Sequence, residues 1–173
     1  MRFLDVALSS FIYQMDGSVS PFGTDGAVMY FHPAQLGGLY KENRILVNRG
    51  YLHMVFHCIF RHFGKPGIEK RLWNLSCDIA VEHMIDGIYH RSVRYSRSLL
   101  RRETYRLLEK EKKTLNAERI YKILKEEFLK EKELAQLEKE FYVDDHKYWA
   151  NQQPDRKPNP LMSKKWGDIS EGI

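Results

Sequence analysis

The sequence predicts an α+β domain that is mostly helical and has a small sheet. Three observations support this class. Apolar residues recur at helical spacing in several segments, including a long one that ends at Gly64. One short run, 27–31, is β-branched and aromatic and is closed by Pro33, which is typical of a strand. The chain has 173 residues, enough for one core without disulfides.

Composition and the N-terminal sequence indicate the cellular compartment of the protein. Cys58 and Cys77 both lie in apolar, helix-like segments, which favours buried reduced thiols and a reducing cytosol. The N-terminus reaches Asp5 without a long apolar core, which argues against a signal peptide. No run approaches the ~18 apolar residues that a membrane span requires. We therefore expect a cytoplasmic protein with no membrane segment.

Four helical segments follow from apolar spacing and from the glycine and proline stops between them. They cover 2–15, 39–63, 69–86 and 117–141. We expect a single domain over 1–150, with a core in 1–90 and a charged helical extension in 91–150. The tail, 151–173, is rich in Pro, Lys and Asn and is expected to be loosely ordered.

The segment 51–62 places two histidines four residues apart on an apolar helix. At about 3.6 residues per turn, His53 and His57 lie about 40° apart on one face. A helix commonly presents two nitrogen ligands to zinc in this way. His62 falls on roughly the opposite side, which favours a core or surface histidine over a third ligand. The pair alone is weak evidence for a metal site, since two packed histidines would give the same pattern.

The next helical segment carries a polar stripe on an otherwise apolar surface. Asn74, Asp78 and Glu82 recur every four residues there. Burying such a stripe is costly unless something satisfies it, and a cation held between the stripe and the two histidines would do so. The alternative is a stripe that faces solvent or forms an internal hydrogen-bond network.

Several motifs in one order carry a family resemblance. They are Thr24-Asp-Gly-Ala-Val-Met-Tyr-Phe-His-Pro33, Leu52-His-x-x-x-His-x-x-x-x-His62, Leu72-Trp-Asn-x-x-x-Asp78, Leu115-Asn-Ala-Glu-Arg-Ile-Tyr121 and Asp144-Asp-His-x-x-Trp149. Together they resemble the metallopeptidase (zincin-like) domain that lies N-terminal to VWA-like domains in bacterial proteins. The resemblance covers most of residues 20–150.

The resemblance implies a zincin-like fold, with the small sheet next to the active-site helix and a further ligand from the following helix. It makes His53 and His57 ligands of a zinc ion and Asp78 the third ligand, with Glu82 as its substitute. His62 is an additional ligand candidate. An edge strand beside the helix implies a peptide or protein as the bound partner.

Two residues depart from the family's motifs. The asparagine before proline is His32, an additional ligand candidate for which a cap on the strand is favoured. The glutamate after the first histidine, which serves as general base, is Met54. A thioether cannot accept a proton, and general-base assistance is typically worth ~10²- to 10⁴-fold. We therefore expect a zinc-binding but catalytically impaired peptidase domain, a pseudoenzyme that acts as a peptide- or protein-binding module.

Two alternatives stay open. One is an active zinc-dependent hydrolase that uses another base, such as Glu82. The other is nucleic-acid binding by the basic stretch 91–113, where Arg94, Arg97 and Arg101 belong to a broad helical stripe with interleaved tyrosines. A solvated basic face that pairs with the downstream glutamates is favoured over that role. Nucleic acid is therefore not the expected partner.

The segment Asp144-Asp145-His146 also contains ligand-type residues, and a solvated turn or helix start is favoured there over a second metal site. In the family this segment precedes the VWA-like domain. We interpret the tail after it as a linker to such a domain, which this sequence does not contain. Relatives are associated with MoxR-type AAA+ ATPases, so a partner of that kind is implied by the resemblance alone.

Overall fold

The computed structural model describes residues 11–63, 65, 67–109, 114–127, 130–149, 164 and 166–168. The chain divides into two compact units. The first, the sheet unit, is built from residues 1–66 and 143–173, and the second, the helical unit, from residues 67–142. The predicted α+β class is confirmed, because most described residues are helical and three strands form one small sheet.

The sheet contains strands β1 (Ile12–Met15), β2 (Phe22–Thr24) and β3 (Val28–Phe31) in the order β1-β3-β2. The central strand, β3, pairs in parallel with β1 and antiparallel with β2. The strand predicted over 27–31 is thereby confirmed.

The helix predicted over 2–15 is wrong for residues 12–15, which form β1. Pairing with β3 decides their conformation, and the apolar spacing of so short a segment does not separate a helix from a strand. Residues 1–10 lie outside the described part of the chain, as does most of the tail that was expected to be loosely ordered.

The Thr-Asp-Gly motif forms the turn between β2 and β3. The Thr24 hydroxyl donates to the carbonyl of Val28 at 2.8 Å and accepts from the N–H of Gly26 at 3.0 Å. Asp25 Oδ1 accepts from the N–H groups of Ala27 and Val28. Gly26 has a φ of 90°, a conformation that glycine adopts at little steric cost. The motif therefore sets the geometry of the hairpin.

Helix α1 (Pro33–Ile59) carries the histidine pair. It begins at a proline, which is favoured in the first helical turn, and His32 caps it by accepting from the N–H of Gln35. Asn43 departs from helical geometry (φ −164°, ψ 113°), and its side chain accepts from the N–H of Ile45 at 2.9 Å. This range therefore consists of two helical stretches, and the second contains both histidines.

Strand β2 brings two distant parts of the chain together. The Phe22 ring packs so closely on α1 that a Cβ atom at Gly50 would lie 2.4 Å from Phe22 Cε2. The Phe22 carbonyl accepts the N–H of Asp145 at 2.7 Å. At Gly23, a Cβ atom would lie 2.9 Å from the carbonyl oxygen of Asp145. Glycine at both positions therefore lets α1 and the segment 144–149 approach the same strand.

An apolar core joins the sheet and α1 inside the sheet unit. Its buried side chains are Phe11, Phe22, Met29, Met54, Val55, Cys58, Ile59 and Trp166. Burial raises the pKa of the Cys58 thiol well above its ordinary value. Cys58 and Cys77 are both buried and neither forms a disulfide, as predicted.

The helical unit contains helices α2 to α5. Their bounds are Lys70–Asp86, Leu99–Leu108, Ala117–Glu126 and Glu131–Phe141. Helix α2 agrees with the helix predicted over 69–86 and packs against α4 and α5.

The single charged helix predicted over 117–141 is wrong. Helix α4 ends at Glu126 and α5 begins at Glu131, where the Glu133 side chain accepts from the N–H of Lys130 at 2.9 Å. This contact resembles the one that a capping box provides at the start of a new helix.

Across the described residues, no helix has both the length and the apolar character that a membrane crossing requires.

Gly50→Ala is expected to destabilise the sheet unit by about 1 to 3 kcal/mol, because the added methyl group overlaps the Phe22 ring in a filled core. Gly37→Ala in the same helix is the matched control. A Cβ atom there meets no described atom within 4 Å, so this variant should gain about 0.5 to 1 kcal/mol. Chemical denaturation followed by tryptophan fluorescence measures both. Equal free energies of unfolding would contradict the close approach of β2 to α1.

Candidate metal centre

Helix α1 directs two imidazoles to one point, as its sequence spacing predicts. His53 and His57 are fully buried, and their Nε2 atoms lie 2.7 Å apart. Two acceptor lone pairs repel at that distance, so a proton or a cation must lie between the two nitrogens.

A second segment brings two more donors to the same place. Asp144 precedes, and His146 opens, a 3₁₀ turn (His146–Tyr148) that packs beside β2. Asp144 is 1% exposed and His146 is 7% exposed, so the solvent exposure expected for this segment is wrong. Within the sheet unit, His53, His57, Asp144 and His146 each offer one ligand atom, and these atoms all lie within 4.8 Å of one another. We call these four residues the His/Asp cluster.

Asp144 lies at the centre of the His/Asp cluster. Its Oδ1 lies 3.0 Å from His146 Nε2, 3.3 Å from His53 Nε2 and 3.7 Å from His57 Nε2. Burial by itself raises the pKa of Asp144, but the three surrounding imidazoles outweigh burial and hold that pKa well below its ordinary value. These surroundings therefore favour the ionised form of the buried carboxylate.

His62 lies beside the cluster on the far side of His57. Helix α1 ends at Ile59, and Arg61 adopts a positive φ of 53°, so the chain turns back. His62 Nδ1 thereby lies 3.0 Å from His57 Nδ1. The sequence argument placed His62 on the opposite face because it assumed an uninterrupted helix. A hydrogen bond at Nδ1 holds the imidazole of His57 with Nε2 directed to the cluster, so His62 would position that donor for a metal ion.

Trp149 covers the imidazoles. It is 1% exposed, stacks on His146 with ring centroids 3.9 Å apart, and meets His57 edge to face at 5.1 Å. Its backbone N–H donates to the carbonyl of His146 at 3.0 Å. This indole gives the cluster an apolar wall, which separates the donors from water.

The 3₁₀ turn is anchored at its other end by Tyr148. Its ring stacks on Tyr30 with centroids 4.1 Å apart, and its hydroxyl donates to Asp16. Hydrogen bonds from Ser18 and Tyr148 hold the pKa of Asp16 well below its ordinary value. The loop between β1 and β2 therefore helps to keep the donors of the turn in place.

The chemistry of the His/Asp cluster fits a divalent cation. Three imidazole nitrogens and one carboxylate oxygen converge in a buried part of the sheet unit, and Asp144 Oδ2 is buried with no hydrogen-bond partner among the described residues. An ionised carboxylate in that position is costly unless a cation or further donors satisfy it. A metal ion bound by these four side chains would satisfy both the carboxylate and the nitrogen lone pairs.

Met54, which the resemblance compares with a general base, has its side chain in the apolar core. It is fully buried and belongs to the core that contains Phe11, Phe22 and Met29. Apolar packing therefore explains the thioether at this position.

Asp78 and Glu82 lie on α2 in the helical unit, and both are buried. Glu82 accepts from Arg101 at 2.6 Å, and the same guanidinium lies 3.4 Å from Asp86 and 3.1 Å from Glu140. The structure thus gives Glu82 a role in a buried ion-pair network. The predicted roles of Asp78 as third ligand and of Glu82 as substitute base stay predictions.

His32 caps a helix and not the strand that was expected, and it is not part of the His/Asp cluster. The basic stripe is wrong as a single helical face, because α3 begins at Leu99 and both Arg94 and Arg97 precede it. The Arg101 side chain is only 13% exposed and pairs with three carboxylates, as the alternative of a basic residue paired with glutamates predicts.

Sequence reasoning missed the roles of Asp144 and His146. The polar Asp-Asp-His run is typical of an exposed turn, and its burial depends on a hydrogen bond to β2 that local sequence does not reveal. The signal that could have found them is Trp149, since a tryptophan three residues after a histidine in a polar segment favours burial of that segment.

Fold and site define a small, mostly helical α+β protein with a buried His/Asp cluster able to hold a metal ion. Comparison with family models matches residues 3–164 to the family described as "Putative metallopeptidase domain". The match covers most of the chain, which therefore belongs to this family. Comparisons with curated proteins and with solved structures give no match.

His62→Ala is expected to weaken metal affinity by ~10- to 100-fold while all four donors stay in place, because it removes the hydrogen bond that orients His57. His32→Ala is the control, since it removes a histidine that caps a helix instead. Competition with a chromophoric chelator measures both affinities. A His62→Ala affinity equal to that of the control would contradict the positioning role.

Proposed function

We propose that this domain binds one zinc ion at the His/Asp cluster as a structural staple, is impaired as a peptidase, and acts as a peptide- or protein-binding module. The observation that carries the proposal is the convergence, within the sheet unit, of four buried donors from two chain segments within 4.8 Å of one another. Zinc bound there would offset the buried carboxylate charge and tie α1 to the segment 144–149.

The closed surroundings of the cluster support a structural ion. Structural zinc sites use four protein ligands, whereas catalytic sites keep one position for water or substrate. His53 and His57 have no exposed surface, and Trp149 lies against two of the rings. A substrate would have to displace one of these side chains to reach the ion.

The donor set favours zinc among the common metals. Imidazole nitrogens suit zinc, whereas magnesium and calcium prefer oxygen ligands. Non-haem iron sites typically use two histidines and one carboxylate with open positions, which is fewer protein ligands than this cluster offers.

The absence of a suitable base supports impaired catalysis. Met54 cannot accept a proton, and its side chain is part of the apolar core. The alternative base, Glu82, is paired with Arg101 at 2.6 Å, and a neighbouring cation favours the ionised form of a carboxyl and lowers its basicity. An active hydrolase that uses Glu82 therefore stays the second candidate.

Elemental analysis tests the metal site. The purified protein should contain about one zinc per chain, and Asp144→Asn should lose most of it. Asp145→Asn is the matched control, because the Asp145 side chain accepts the N–H of Lys147, a role that asparagine also fills. Asp78→Asn tests the ligand that the resemblance implies. Equal and negligible zinc in the wild type and in a His53→Ala, His57→Ala double variant would contradict metal binding.

Peptide hydrolysis tests the impaired activity separately. We expect zinc-loaded protein to cleave quenched fluorescent peptides no faster than the double-histidine variant. Chelator-sensitive cleavage that disappears in both His57→Ala and Glu82→Gln would establish the active hydrolase instead.

Met54→Glu is expected to destabilise the sheet unit by several kcal/mol without a gain in hydrolysis, because it buries a carboxylate in the apolar core. Met54→Leu, which conserves volume, should cost less than about 1.5 kcal/mol. Thermal and chemical denaturation measure the stability of both variants. A stable Met54→Glu variant that cleaves peptides would contradict the placement of this side chain.

The exposed edge of the sheet supports peptide binding by strand addition. All four side chains of β1 are exposed, and among the described residues this strand pairs only with β3. Titration of isotope-labelled protein with unstructured peptides should shift the amide signals of residues 12–15. Peptide binding that leaves these signals unchanged would place the partner elsewhere.

A further inference from the structure

A second candidate site lies wholly within the helical unit, at the C-terminal end of α2. It is a cavity of about 390 Å³, within the range of small-molecule sites. Three arginines line it, Arg97, Arg102 and Arg106, together with Tyr89 and Tyr105. Neither the metal centre nor the proposed peptide-binding edge includes any of these residues.

The charge in this cavity is unbalanced. Arg102 and Arg106 are four residues apart on α3, a spacing at which like charges repel, and neither side chain pairs with a carboxylate among the described residues. The acidic residue in the lining is Glu109, and its Oε1 lies within hydrogen-bond distance of His83 Nε2, at 2.7 Å. An anion between the two guanidinium groups would relieve their repulsion.

The neighbouring residue on the same helix shows the contrast. Arg101 is partly buried and pairs with Glu82, Asp86 and Glu140. The carboxylates of the helical unit therefore neutralise Arg101. Among the described residues, no carboxylate pairs with Arg102, which lines the cavity.

The other side chains of the cavity are held in position. Arg97 donates to the backbone carbonyl of Asp86 at 2.6 Å. The Tyr105 hydroxyl donates to the Asp86 carboxylate at 2.9 Å, and its ring meets His83 edge to face at 4.8 Å. Tyr89 is 90% exposed at the rim, where its ring face is available. Guanidinium groups suit phosphate because they present several N–H donors, and an exposed tyrosine offers a stacking surface to a base.

We propose that this cavity binds a nucleotide, with its phosphate between Arg102 and Arg106 and its base on Tyr89. Two sources share this chemistry, a free mononucleotide and a nucleotide within a single strand. The residues differ from the predicted basic stripe, since Arg101 is withdrawn and Arg106 takes part. The proposal does not depend on the metal centre.

Calorimetric titration of the full chain tests it with adenosine 5′-monophosphate, inorganic phosphate and a 12-residue single-stranded oligonucleotide. The Arg102→Gln, Arg106→Gln double variant should bind about tenfold or more weakly. Tyr89→Ala should weaken binding about fivefold or more. Arg91→Gln, Arg94→Gln is the matched control, because it removes the same charge from exposed positions outside the cavity. Thermal melting verifies that each variant is folded.

The outcomes separate the sources. Mononucleotide binding that exceeds phosphate binding and depends on the cavity arginines supports a free nucleotide. Oligonucleotide binding with the same dependence, in the absence of mononucleotide binding, supports a nucleic-acid strand. Equal weakening by both double variants would reveal only general attraction to a basic surface and overturn the proposal. Phosphate binding as tight as mononucleotide binding, or no saturable binding of any probe, would also overturn it.

Discussion

The His/Asp cluster depends on the contact that β2 makes with two separate parts of the chain. The ring of Phe22 lies directly on the backbone of α1 at Gly50, and its carbonyl binds the N–H of Asp145. One residue therefore sets both the position of the histidine helix and that of the 3₁₀ segment. Gly23 permits the second approach because a side chain there would meet the Asp145 carbonyl. Without these contacts, the four donors would belong to two unrelated segments.

Burial of the donors then determines what the centre can do. A carboxylate that is buried among imidazoles behind the Trp149 indole suits a bound cation, so the fold and the ion are expected to stabilise one another. The same burial works against hydrolysis, which needs an open coordination position and a base. The Met54 side chain supplies no base and instead contributes to the apolar core on which α1 rests. The proposed metal binding and the proposed impairment of catalysis would thus both follow from one packing arrangement.

Local pattern predicted the elements whose conformation is set locally, and missed those that long-range pairing decides. Helix α2 and the strand Val28–Phe31 follow from apolar periodicity and turn chemistry, and the shared face of His53 and His57 follows from helix geometry. Strand β1 was mistaken for helix because its pairing with β3 lies outside its own sequence. Asp144 was assigned to solvent for the same reason, since a polar run reveals nothing of the strand that buries it. His62 was misplaced because the helix ends before it.

X-ray absorption spectroscopy of the zinc-loaded protein tests the central claim most directly, because it counts the ligands of the ion itself. The account predicts a first shell with three imidazole nitrogens, two from α1 and one from His146, completed by carboxylate oxygen from Asp144. The His146→Ala variant should then lose one imidazole from the spectrum. A first shell with only two imidazoles and exchangeable water, unchanged in that variant, would contradict a closed structural site and restore the case for an open catalytic one.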